Sequence, residues 1–165
     1  MSLTPQLVLL EDDHTAIVEV AKRLVHDANA KAIFLVDKNG QLVAEAGELT
    51  GIDTTSLASL VAGNIAASGG LAKLIGEDEF PVHFHQGERD NVHITLVAQR
   101  IILVVIFDER SSLGLVRLRV KKGGQALGEI FEKVYKRAES ELGDGGPASP
   151  FSEISDDDID NLFSD

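Results

Sequence analysis

The sequence contains no cysteine, which excludes a disulfide framework and any thiolate nucleophile. It also lacks the G-x-x-x-x-G-K-[ST] pattern: the nearest glycine-rich stretch, S-G-G-L-A-K-L-I-G, places its lysine too early and has no following Ser or Thr. A phosphate cradle is therefore not supported. There is no G-x-S-x-G elbow either, which removes the other common route to a nucleophilic site. No uninterrupted apolar run approaches the ~18 residues of a membrane span. The opening residues M-S-L-T-P-Q-L-V-L-L-E-D-D have no basic n-region of the kind that begins a signal peptide. Positive charge is scarce, with 15 Lys+Arg against 27 Asp+Glu and a net charge of −12. That balance argues against nucleic acid and against an anionic membrane surface as partners. What remains, in 165 residues of which 44% are hydrophobic, is a cytoplasmic globule with one ordinary core, no cofactor and room for a tail.

The most informative stretch runs from Asp53 to Ile75 and reads as one helix with two unlike sides. At about 100° per residue, Leu57, Leu60, Val61, Leu71 and Ile75 gather as an anchoring stripe. Ala58, Ala62, Ala66 and Gly69 form one bare row, and Ser59, Gly63, Ala67 and Gly70 form the next. A glycine inside a helix costs about 1 kcal/mol relative to alanine, and this helix carries Gly63, Gly69 and Gly70. Close approach of another backbone would offset that cost. The neighbour is either the chain's own core or a partner, a second copy included.

Around this helix the pattern predicts a first amphipathic helix through Ile17, Val20, Ala21, Leu24, Val25 and Ala28, with Asp12 or Asp13 placed to cap its start. Asn39-Gly40 between two apolar runs predicts a hairpin, pairing Val36 with Val43 if the loop has two residues. Three further strands follow the bare helix: F-P-V-H-F-H, V-H-I-T-L-V-A and I-I-L-V-V-I-F. The last is apolar enough to be central and covered on both faces. Val116, Leu118 and Val120 alternate with Arg117 and Arg119 like a strand, but Leu113, Val116, Val120, Leu127, Phe131 and Val134 recur at a helical period. The longer window favours one long helix capped at Ser111 or Ser112, weakest at Gly123-Gly124, where a bend or break is to be expected.

One metal-like constellation stands out. His83 and His85 share a strand face, and His93 joins them if Phe84 pairs with Val92 or Ile94 across the hairpin. Three imidazoles would suit a catalytic zinc. A tighter loop with Gln86 opposite Asn91 gives the other parity and sends His93 away. The C-terminal part divides into a Gly/Pro/Ser linker, 141–150, and an acidic tail, 151–165, that holds six carboxylates and no base. Ser155 to Asp158 fits a capping box, and Ile154, Ile159, Leu162 and Phe163 supply a small apolar face. The tail reads either as a short helix that folds on a basic partner groove or as a solvated acidic tail.

The order of elements, together with K-A-I-F-L-V-D-K-N-G-Q-L, D-T-T-S-L-A-S-L-V-A-G-N, V-V-I-F-D-E-R-S-S-L-G-L-V-R-L-R and the terminal I-S-D-D-D-I-D-N-L-F, resembles the roadblock (dynein light chain) family. The likeness is strongest to bacterial members that act on a Ras-like GTPase in cell polarity and gliding motility. It covers about residues 6 to 138 and the tail. The resemblance implies an α+β domain over 6–140, α-β-β-α-β-β-β-α, with a five-stranded antiparallel sheet, one helix on one face and two on the other. It also implies a homodimer joined edge to edge and helix to helix, whose paired second helices seat the GTP-bound GTPase, with a cell pole as a candidate location. The chain would then be a GTPase activator with no active site of its own. Arg89 and Arg110 are the candidates for an inserted arginine; the resemblance instead implies activation by pressing the GTPase's own switch regions into place. A dimeric scaffold for a small GTPase or motor component is the alternative.

Overall fold

The computed structural model describes residues 8–143. Its elements are α1 (Glu11–Asp27), β1 (Ala32–Asp37), β2 (Leu42–Gly47), α2 (Thr54–Leu74), β3 (Val82–Gln86), β4 (Asn91–Val97), β5 (Ile101–Phe107) and α3 (Leu113–Gly143). This is the predicted order. The predicted linker from residue 144 on, and the tail with Ile154, Ile159, Leu162 and Phe163, lie outside the described residues. The chain divides into two compact units. One, Leu9–Glu132, holds the sheet, α1, α2 and most of α3; the other includes Val8 and the α3 turns from Lys133 on, where Val134 is buried.

The strands form one antiparallel sheet in the order β2-β1-β5-β4-β3. As expected of the most apolar strand, β5 is central, with Ile101 to Val105 fully buried between β1 and β4. Strand alternation sorts the core into two layers. Phe34, Val36, Ile94, Ile102 and Val104 meet Ala58, Val61 and Ile65 of α2. Ile33, Leu35, Leu103 and Val105 point the other way and are equally buried, on the side where α1 and α3 meet.

α1 begins at Glu11, so Asp12 and Asp13 lie inside its first turn; Asp13 accepts from the Leu10 backbone N–H at 2.9 Å. The β1–β2 hairpin corrects the predicted register: Val36 pairs with Leu42, not Val43, and a bulge separates it from the Leu35–Ala44 pair. The loop has three residues, because Gly40 alone takes positive φ (+89°) while the Gly40 N–H donates to the Asp37 carbonyl at 2.8 Å. That is a type I turn with a glycine bulge rather than a two-residue turn.

α3 is continuous through both ambiguous places. Ser112 caps it, its hydroxyl accepting from the Leu115 N–H at 3.2 Å, while the Ser111 hydroxyl donates to the Ala28 carbonyl. The expected weakness at Gly123-Gly124 has a packing origin, and the helix does not break there. A Cβ on Gly123 would stand 3.0 Å from the Leu24 side chain, so the missing carbon lets α1 approach. At Gly124 a Cβ would reach only Val97, at 3.9 Å. Gly124→Ala is therefore expected to stabilise the protein by up to about 1 kcal/mol through helix propensity. Gly123→Ala should gain less or lose stability through overpacking. Urea titrations of both variants check the ranking.

Candidate partner-binding surface on α2

Asp53 starts α2 by accepting from the Ser56 N–H at 3.1 Å and the Ser56 hydroxyl at 2.7 Å. The hydroxyl and backbone bonds from Ser56 hold its carboxyl below the usual carboxylate range. The helix buries only part of the predicted stripe, Val61 and half of Leu57. Ala58, Val61, Ile65 and Ala72 face inward, Leu57 is half-buried, and Leu60, Leu71 and Ile75 are 73%, 56% and 64% exposed. Small Ala58 and Ala72 let the helix lie close on the sheet, and the large leucines point out.

The bare rows divide accordingly. Ala58 is buried at 1% exposure and is not available to a partner, contrary to its predicted place on the open face. Ser59 and Ala62 border the β1–β2 turn, where a Cβ on Gly40 would stand 3.6 Å from Ser59 Cα and 3.7 Å from Ala62 Cβ. Ala66, Ala67 and Gly70 are exposed, and Gly69 is half-exposed. A Cβ added at Gly63, Gly69 or Gly70 would meet nothing within 4 Å. The helical cost of these three glycines is thus not offset by contacts within the described chain. Beside them lies a recess of about 400 Å³ lined by Ala66, Gly69, Gly70 and Lys73 and by the Lys38–Glu79 ion pair at 2.9 Å.

Sequence reasoning missed the other flank. Between α2 and the open part of the sheet runs an apolar groove of about 390 Å³, bounded by Leu57, Leu60 and Asn64 on α2 and by Val92, Ile94 and Ile106 on β4 and β5. Within it the side-chain carbonyl oxygen of Asn64 is buried with no hydrogen-bond partner among the described residues. The available signal was an excess of leucine beyond what one inward stripe can use. The same excess makes α2, by length and composition alone, a helix long and apolar enough to cross a membrane, though no single apolar run suggested one.

The histidines do not converge. Gln86 pairs with Asn91 and Phe84 with His93, so His93 lies on the opposite face from His83 and His85. Among the described residues no group of three or more His, Cys, Asp or Glu could hold a metal ion. His93 is 2% exposed; its Nδ1 lies 3.2 Å from the Thr95 hydroxyl and its Nε2 has no partner among the described residues. Burial, with the positive charge of Arg117, pushes its pKa below 6.5. A lowered folded-state pKa means that only the unfolded chain takes up this proton as pH falls below 6.5. The neutral folded form is then progressively disfavoured relative to the unfolded chain, until the folded pKa is reached. Stability should therefore decline on acidification from about 6.5, by at most about 1.4 kcal/mol per pH unit for one proton. His93→Gln should flatten this part of the profile in urea unfolding measured from pH 7.5 to 5.5.

The two arginine candidates differ. Arg89 is exposed at the β3–β4 turn. Arg110 is held by Asp108, Nε to Oδ1 at 3.0 Å, and by Glu48 at 3.4 Å. Donating to Asp108 raises the pKa of Arg110, and accepting from Arg110 lowers that of Asp108. An arginine committed in this way is poorly placed to extend into another protein.

Residues 16–107 match the Roadblock/LC7 domain. The chain is 61% identical to MglB of Myxococcus xanthus over 78% of its own length and 96% of that protein's, with a TM-score of 0.74. It is 36% identical to the gliding protein MglB of Thermus thermophilus, covering 79% and 99% with a TM-score of 0.73. A further MglB, solved in a tetrameric arrangement, shares 35% identity over 80% and 99%, with a TM-score of 0.75. A comparison with curated protein sequences finds no match. The chain belongs to the Roadblock/LC7 family.

Proposed function

We propose that this chain is an MglB-like homodimer that binds a Ras-like small GTPase of the MglA type in its GTP form and accelerates hydrolysis by positioning the switch regions. The setting would be cytoplasmic control of polarity and gliding. The observation that carries this reading is the outward surface of α2, where Gly63, Gly69 and Gly70 have no neighbour and exposed leucines flank them. The leucine flank and its groove suit the α2 of a second copy. The small-residue side suits close approach of the GTPase backbone.

Positioning is favoured over a donated arginine because Arg110 is tied to Asp108 and Glu48. Arg89→Ala and Arg110→Ala are each expected to keep most of the stimulation in single-turnover GTP hydrolysis with the cognate GTPase. A finger would lose about 10³-fold or more, so a collapse of that size in either variant would replace positioning with arginine insertion. The acidic tail after residue 150 is assigned here as a second contact with the GTPase, joined to the domain by the segment that follows α3.

A further inference from the structure

The face of the domain formed by α1 and α3 carries a feature that the α2 reading does not use. A groove of about 300 Å³ runs between these helices, with Val20 and Leu24 on its α1 side and Arg23, Arg119 and Lys122 at its rim. Asp27 is its one carboxylate and lies against His26 at 3.3 Å. Among the described residues, Arg23, Arg119 and Lys122 enter no ion pair, and the Nε of Arg119 is buried without an acceptor. A buried, unsatisfied donor on a charged group is costly. On the α3 side, residues 111–128 contain no acid to relieve this charge. In a chain of net charge −12, such a concentration of unrelieved positive charge calls for an anionic occupant.

From these observations we infer that the α1–α3 groove is a docking site for the chain's own acidic tail, in the same chain or in a second copy. The tail has the complementary chemistry: Glu153, Asp156, Asp157, Asp158, Asp160 and Asp165 with no base, interleaved with the apolar Ile154, Ile159, Leu162 and Phe163. Its carboxylates can accept from the Arg119 and Lys122 donors while its apolar residues cover Val20. Ten residues, 144–153, separate the end of α3 from Ile154 and would span up to about 35 Å if fully extended. A tail held there is withheld from the GTPase, so docking would restrain the second contact until the GTPase competes for it.

The test needs no GTPase. Amide signals of Asp156 to Phe163 are recorded by NMR in the full chain, in Arg119→Glu/Lys122→Glu, in Arg23→Glu, and in a synthetic peptide 151–165. In the full chain the tail signals should be displaced from those of the free peptide. They should return most of the way towards the peptide positions in either variant, and at high salt, where screening weakens exposed ion pairs. Core amide signals report folding, and the single α1 variant serves if the double one is unfolded. Tail signals that coincide with the free peptide in the unaltered chain overturn the inference. So do displaced signals that neither charge reversal moves; the groove would then be left to an acidic segment of another protein.

Discussion

Gly70→Arg is expected to abolish GTPase binding while leaving the roadblock fold intact and slightly firmer. Gly70 is exposed near the C-terminal end of α2, and a Cβ there meets nothing within 4 Å. Within the monomer the substitution therefore brings no clash. It relieves a glycine in a helix interior, worth about 0.8–1 kcal/mol by propensity. In the complex the same side chain would occupy the space that a second backbone needs. Steric overlap of a long, charged side chain at the centre of a close contact should weaken affinity at least about 100-fold, or about 2.7 kcal/mol. Ala66→Arg, on the same open side, should lose binding in the same way but without the gain in stability, since it replaces the best helix former. In Gly70→Arg the two effects have opposite signs, which separates loss of function from loss of fold: thermal unfolding should move up or stay, while stimulated hydrolysis falls to the intrinsic rate. Retained binding would place the GTPase on another face.

Leu60→Glu should convert the proposed homodimer to a monomer. Leu60 is 73% exposed in the single chain, at the rim of the groove between α2 and strands β4 and β5. A surface substitution of this kind changes monomer stability by about 0.5 kcal/mol or less. In a dimer that fills the groove with the partner's α2, the new carboxylate would be buried without a counter-charge, at a cost of several kcal/mol. Sedimentation equilibrium should show the dimer dissociation constant raised at least about 100-fold, again about 2.7 kcal/mol. If two α2 helices are needed to seat the GTPase, stimulation is lost along with dimerisation. A variant that still sediments as a dimer would remove the groove from the interface.

Element identity was legible where a pattern ran long enough to outweigh a local ambiguity. The strand-like alternation from Val116 to Val120 yields to a helical period that extends to Val134, and the structure has one helix there. The apolar run Ile101–Phe107 could only be a strand buried on both faces. What the sequence left illegible depends on contacts between distant segments. The inward face of α2 was read in part, through Leu57 and Val61; the rest was misread because burial usually follows side-chain size, whereas this helix serves two surfaces. It turns Ala58 and Ala72 to a close-lying sheet and leaves Leu60 and Leu71 outside. The place of Gly40 beside Ser59 and Ala62 has no local signal, since the turn and the helix meet only in the folded chain. His93 was decided by the hairpin register, which one residue of loop length reverses. For the candidate surface, the bare rows were readable residue by residue, apart from buried Ala58, but the leucine flank beside them was not.

The most direct measurement is single-turnover GTP hydrolysis by the cognate Ras-like GTPase, with and without this chain, with complex formation followed in the same samples. Binding to the GTP-loaded form and a clear acceleration of phosphate release are expected, both lost in Gly70→Arg. Binding with an unchanged hydrolysis rate would contradict this expectation and make the protein a scaffold.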